Sequence, residues 1–124
     1  MIAKILVVED EQTLNEAYEM ILSKSGYEVV VAQDGEEALE KTEKFEPDLI
    51  LLDLRMPRLN GIGFLEKYNL TKLHPNVKVI VFSNLDTQTD IDQAYKLGAQ
   101  RYLLKAWASP KELLNIVEDT LKQD

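Results

Sequence analysis

The sequence predicts an α/β fold, a parallel sheet with helices on both faces, and two observations carry that prediction. The runs Ile5-Leu6-Val7-Val8, Leu49-Ile50-Leu51-Leu52, Val79-Ile80-Val81-Phe82 and Tyr102-Leu103-Leu104 are short and lack polar alternation, as strands buried on both faces do. Segments with apolar residues at helical spacing separate them. Alternating strands and helices imply right-handed crossovers and one parallel sheet. Each run also stops at polar groups: Glu9-Asp10, Asp53, Ser83 and Lys105. Ligands of such sheets bind outside the carboxyl ends of the strands, so three carboxylates, a hydroxyl and an ammonium are directed to one edge.

The elements follow in order. The first strand takes residues 4 to 9. Leu14, Ala17, Tyr18, Ile21 and Leu22 mark the inner face of the first helix, and Gly26 stops it because a residue without Cβ takes the left-handed conformation at little cost. Val29-Val30-Val31 is strand two. Asp34 is placed to cap the second helix, which turns Ala38 and Leu39 inward and ends before Pro47. Leu49 to Leu52 form strand three, followed by a loop around Pro57 and Gly61. Phe64, Leu65 and Tyr68 mark the third helix, and Thr71 to Asn76 read as loop, with His74 an exposed residue in it. Strand four is Val77 to Phe82. A fourth helix from about Asp86 places Ile91, Ala94, Tyr95 and Leu97 and closes at Gly98, and Arg101 to Leu104 form strand five. Ser109-Pro110-Lys111-Glu112 is a capping box with proline at the first helical position. It opens a fifth helix with Leu113, Leu114, Ile116, Val117 and Leu121. The chain reads as one domain, residues 1–124.

Composition narrows the function. With 22 acids against 14 bases and a net charge of −8, the chain lacks the basic groups from which nucleic-acid binding draws most of its affinity. It has no cysteine, hence no disulfide framework or thiol chemistry. The N-terminal apolar run is short and stops at Glu9-Asp10-Glu11, unlike a signal peptide. No stretch approaches the ~18 apolar residues of a membrane span. A cytoplasmic location is the default expectation.

Glu9, Asp10 and Asp53 lie on two strands, and only adjacent strands bring them together. Carboxylates a few ångströms apart repel, and a hard divalent cation relieves the repulsion; magnesium prefers carboxylate oxygens with waters and a phosphate oxygen. The plainer alternative is that such acids merely cap neighbouring helices. Lys105 can meet a carboxylate or a phosphate as a point charge, or be a solvated strand-end lysine. Ser83 can donate to a phosphoryl oxygen, or be a turn residue. Together they suit phosphoryl transfer to the Asp53 carboxylate, with metal and Lys105 offsetting charge on the phosphoryl oxygens.

The chain resembles the receiver domain of bacterial two-component response regulators over essentially its whole length, with a chemotaxis-regulator-like, single-domain form. The resemblance lies in Ile5-Leu6-Val7-Val8-Glu9-Asp10-Glu11, in Asp53 to Gly61 with its Met56-Pro57, and in Gly98-Ala99 before Tyr102-Leu103-Leu104-Lys105. It implies a flavodoxin-like doubly wound (βα)5 fold with strand order 2-1-3-4-5. It makes Asp53 the phosphoacceptor, and Glu9, Asp10 and the backbone carbonyl of Arg55 its partners in holding Mg2+. Ser83 matches the switch hydroxyl, Tyr102 the aromatic that changes rotamer with it, and Lys105 the site lysine. The implied donor is a phosphorylated histidine kinase or phosphotransferase. The implied output is an unknown protein target docking on the face of the fourth helix, fifth strand and fifth helix, where Tyr95, Tyr102 and Trp107 are either exposed or packed. No direct nucleic-acid or membrane partner is expected, and no enzymatic role beyond assisting the domain's own phosphorylation and slow dephosphorylation.

Two positions depart from the family pattern. Ala106 stands where proline usually follows the lysine, which predicts a trans Lys105–Ala106 peptide, and Asn84 stands where alanine often follows the switch hydroxyl. Other functions fit less well. A flavodoxin-type electron carrier needs phosphate donors after strand one, where Glu9-Asp10-Glu11 would repel the phosphate. An aspartate-nucleophile phosphatase typically has a second aspartate where this chain has Arg55. The alternative that remains is a degenerate receiver acting as an interaction module without phosphorylation.

Overall fold

The computed structural model describes residues 2–83, 88–105 and 109–123. The expectations for Asn84, the helix start at Asp86, the Lys105–Ala106 peptide and Trp107 lie outside the described residues. The strands are β1 (Lys4–Val8), β2 (Glu28–Ala32), β3 (Leu49–Leu52), β4 (Lys78–Ser83) and β5 (Arg101–Leu104). The helices are α1 (Gln12–Lys24), α2 (Gly35–Phe45), α3 (Gly61–Tyr68), α4 (Leu70–Leu73), α5 (Gln88–Lys96) and α6 (Pro110–Lys122). The strands are parallel in the order β2-β1-β3-β4-β5, as the resemblance implied.

Side chains alternate across a strand, so each apolar run feeds two cores. Ile5, Val7, Leu49, Leu51, Ile80 and Phe82 pack against Leu22 of α1 and Leu113 and Val117 of α6. Leu6, Val8, Ile50, Leu52, Val79 and Val81 pack against Ala38 of α2, Phe64 and Leu65 of α3, and Ala94 of α5. The three central strands are therefore buried on both sides, the physical reason their sequences lack polar alternation. Edge strand β2 is half-buried at Val29, Val30 and Val31.

Three local expectations need correction. Thr71 to Leu73 are helical: Asn69 adopts the left-handed conformation (φ 55°, ψ 55°), ends α3, and the chain resumes as α4. Asparagine tolerates this backbone, and four residues are too few to show a periodic pattern. His74 is half-buried, its ring stacked on Tyr68 with centroids 3.9 Å apart and an interplanar angle of 3°. Ala17 points to solvent on α1. Tyr95, whose place was left open between surface and core, is 45% exposed on α5.

The caps are where the sequence placed them. Gly26 ends α1 with φ +98°. Ser109 Oγ accepts the Glu112 N–H at 3.2 Å, with Pro110 at the first turn of α6. Asp34 Oδ1 accepts the Glu37 N–H at 2.9 Å at the start of α2, and Arg58 reaches Asp34 Oδ2 at 2.6 Å. The Glu37 N–H bond, helped by the Arg58 charge, holds the Asp34 carboxyl below its ordinary range against the opposing effect of burial. A depressed folded-state pKa means stability present above the ordinary carboxylate pKa and lost as pH falls through the folded value. Asp34→Ala should therefore cost about 1–2 kcal/mol at pH 7 and less near pH 3. Asp34→Asn, which keeps a cap, should lose only the smaller share due to Arg58. Urea unfolding at the two pH values checks both; an Asp34→Ala loss that does not shrink in acid would refute the assignment.

Candidate functional site

Strand register builds the site. Val8 pairs with Leu52, so Glu9 and Asp53, each one residue further on, lie side by side where both strands end. The Asp53 N–H donates to the Val8 carbonyl at 3.0 Å and the Glu9 N–H to the Ala32 carbonyl at 3.0 Å, extending the sheet hydrogen bonding to the acids themselves. In β4, Val81 pairs with Leu52 and Tyr102, and Ser83 pairs with Leu104, which brings Lys105 to the same edge. Asp10 follows Glu9 and is exposed, whereas Glu9 and Asp53 are buried. The three carboxylates and the Lys105 ammonium come together at this edge.

Lys105 is not a solvated lysine. Its side chain is 8% exposed, and Nζ bonds Asp53 Oδ2 at 3.0 Å and Glu9 Oε1. The other oxygens are held by backbone: Asp53 Oδ1 accepts the Arg55 N–H at 3.0 Å and Glu9 Oε2 accepts the Glu11 N–H at 3.0 Å. Burial pushes the Glu9 carboxyl up to about 7, against the lowering effect of Lys105 and the Glu11 N–H. Burial lowers the Lys105 ammonium, but the bond to Glu9 and the charge of Asp53 outweigh it and the net shift is upward. One ammonium thus serves two buried carboxylates.

The three acids are grouped closely enough to hold a metal ion. Glu9, Asp10 and Asp53 each offer a carboxylate oxygen within 4.8 Å of the others. An octahedral ion with Mg–O bonds near 2.1 Å sets adjacent oxygens about 3 Å and opposite ones about 4.2 Å apart, so the carboxylates must draw in to hold one. All the donors are hard oxygens, the kind magnesium takes.

The remaining predicted residues divide by strand face. Ser83, 2% exposed at the end of β4, alternates to the side of Val79 and Val81, where Tyr102 packs. The Arg55 backbone is tied to Asp53, while its exposed guanidinium reaches Asp90 of α5 at 3.4 Å. The loop from Asp53 to Gly61 is docked at both ends. The Gly61 N–H donates to the Leu54 carbonyl at 3.0 Å and the Gly35 N–H to the Leu59 carbonyl at 2.9 Å. Two contributors escaped the sequence reading. Arg58 ties this loop to the cap of α2, and no short-range pattern marks that pairing. Phe82 lies beneath Lys105, 5.1 Å from Nζ to ring centroid; counting alternation along β4 and β5 would have placed both on the α1/α6 side.

With this geometry established, comparison with known proteins is decisive. The family model for the response regulator receiver domain matches residues 5–118. The alkaline phosphatase synthesis transcriptional regulatory protein PhoP of Bacillus subtilis (strain 168) is 38% identical over 120 residues, covering 97% of this chain and 49% of that protein. The chemotaxis protein CheY of Thermotoga maritima is 34% identical over 117 residues, covering 92% of this chain and 96% of that protein. The chain therefore spans about half the length of PhoP and of a similar ycf27 regulator from Porphyridium aerugineum. Among solved structures, a CheY-like receiver domain protein from Methanospirillum hungatei JF-1 matches with a TM-score of 0.91 at 30% identity, covering 98% of this chain and 94% of that one. A parallel sheet in the order 2-1-3-4-5, acids and a lysine meeting at its carboxyl edge, and a family match across that whole span lead to one conclusion: this chain belongs to the response regulator receiver domains of two-component systems.

Proposed function

We propose that the chain is a phosphorylation-dependent signalling switch that accepts a phosphoryl group on Asp53 from a histidine kinase or phosphotransferase. The observation that carries the reading is the placement of the Asp53 carboxylate against a buried Lys105 and beside Glu9. An Asp53 oxygen attacks the phosphorus of a phosphohistidine; the O–P bond forms as the N–P bond breaks, and the imidazole nitrogen keeps the electron pair and takes a proton from solvent. Glu9, Asp10, Asp53 and the Arg55 backbone carbonyl would hold Mg2+, which when bound offsets negative charge on the phosphoryl oxygens. Lys105 neutralises one of those oxygens as a point charge, and Ser83 donates a hydrogen bond to another. Tyr102, packed beside the face that Ser83 joins, follows Ser83 and alters the surface of α5, β5 and α6. That surface, with Tyr95 exposed on it, meets the downstream protein. Among the described residues no helix is long and apolar enough to cross a membrane.

A small phosphodonor with Mg2+ should label Asp53 and nothing else, and Asp53→Asn should take no label. Beryllofluoride, which mimics an aspartyl phosphate, should bind only with Mg2+, Asp53 and Lys105 together. Label mapped to Asp10, or equal label in Asp53→Asn, would overturn the reading. A parent protein that neither labels nor binds beryllofluoride is the degenerate receiver instead.

A further inference from the structure

Phe82 belongs to the core on the α1/α6 side, and its ring also meets two groups that core packing does not require. It is fully buried and directly precedes Ser83. Tyr18 meets its ring at 4.9 Å between centroids and an angle of 73°, and the Lys105 ammonium lies over it, 5.1 Å from the centroid. An ammonium within about 6 Å of an aromatic face is attracted by the ring quadrupole, most strongly when desolvated, and the Lys105 side chain is only 8% exposed. The pairing with Tyr18 is the edge-to-face arrangement aromatic rings prefer.

We propose that Phe82 is a positioning residue, the uncharged seat that keeps the Lys105 ammonium over Asp53 when Glu9 is drawn to a cation. Glu9 now serves Lys105, yet Glu9 is also one of the three acids grouped to hold a metal. It cannot serve both at full strength. An ammonium that loses Glu9 keeps only the Asp53 oxygen at 3.0 Å, itself one of the grouped acids, on a flexible four-carbon stem. A ring face holds it without using a carboxylate oxygen, so metal binding and lysine positioning stop competing. An aliphatic side chain would fill the same space and hold nothing. The consequence for phosphorylation rests on the proposed role of Asp53; the seat itself does not.

Fluorinated phenylalanines test this, because 4-fluoro-, 3,5-difluoro- and 3,4,5-trifluorophenylalanine at position 82 weaken the quadrupole at nearly constant shape. Urea unfolding of the metal-free protein and the rate of Asp53 labelling by a small phosphodonor with Mg2+ are measured across the series. Both the folding equilibrium constant and the rate should fall in step with fluorination, roughly tenfold over the whole series. In a Lys105→Met background the unfolding trend should vanish. A flat unfolding series in the parent, or the same slope without the lysine ammonium, overturns the seat. A fluorination trend in unfolding with unchanged labelling rates overturns its role in positioning. If the unsubstituted protein takes no label at all, the phosphoacceptor reading fails, and the unfolding series still decides whether Phe82 seats the ammonium.

Discussion

Lys105→Met should leave the metal-free protein about 3 kcal/mol less stable than the parent and slow Asp53 labelling about a hundredfold. The substitution keeps most of the side-chain bulk, so the loss is one of charge. The Lys105 ammonium bonds both Glu9 and Asp53, whose side chains are 1% and 5% exposed. Removing one partner of a buried ion pair costs far more than the net worth of the pair, because the other partner stays buried and uncompensated. Here two carboxylates are left facing one another. Mg2+ should therefore restore stability more in the variant than in the parent, since the dication supplies the missing charge. It should not restore labelling, because no group replaces the ammonium at the phosphoryl oxygens. Urea unfolding with and without Mg2+, beside the labelling rate, checks all three outcomes. A variant as stable and as readily labelled as the parent would make Lys105 an ordinary strand-end lysine.

Gly61→Ala should cost about 3 kcal/mol and slow labelling roughly tenfold, because even a small misplacement of reacting groups is expensive. A Cβ at residue 61 would lie 2.5 Å from the Asp53 carbonyl oxygen and 2.7 Å from the Leu54 Cα. Both are backbone atoms, so no side-chain tip can swing aside. Either α3 retreats or the peptide after Asp53 moves, and both deform the loop that aims the carboxylate. Gly26→Ala is the control. A Cβ there meets nothing within 4 Å, but the backbone has φ +98°, so the cost is the conformational one of about 1–2 kcal/mol with labelling unchanged. Equal losses of stability and equal labelling in the two variants would show that Gly61 matters only for the fold.

Much of this architecture was legible before any coordinates. The runs ending at Val8 and Leu52 became β1 and β3 because a strand covered on both faces needs uninterrupted apolar residues. Asp34 and Ser109 capped helices where their side chains could answer unpaired N–H groups. The reading failed where the local signal was short or ambiguous. Leu70 to Leu73 are one turn of helix entered through a left-handed asparagine, and four residues hold no period. His74 follows that turn, and only the position of the Tyr68 ring decides that it stacks rather than faces solvent.

The sequence by itself determined which groups stand at the carboxyl ends of the strands, because a polar residue that ends a buried apolar run has nowhere else to go. It determined too that Asp53 is followed by a loop with a glycine at its close. Only the tertiary structure decided which of those groups meet. Placing β1 between β2 and β3 sets Glu9 beside Asp53, and neighbouring strands are chosen by crossover packing across long stretches of chain, a contest no local pattern records. Lys105 lies 52 residues beyond Asp53 and 96 beyond Glu9, and its charge is spent on them because β5 closes the sheet beside β4 and burial removes water as a competitor. The seat on Phe82 follows from the same register: alternation turns Phe82 and Lys105 to one side, and two strands must lie side by side before alternation has a meaning.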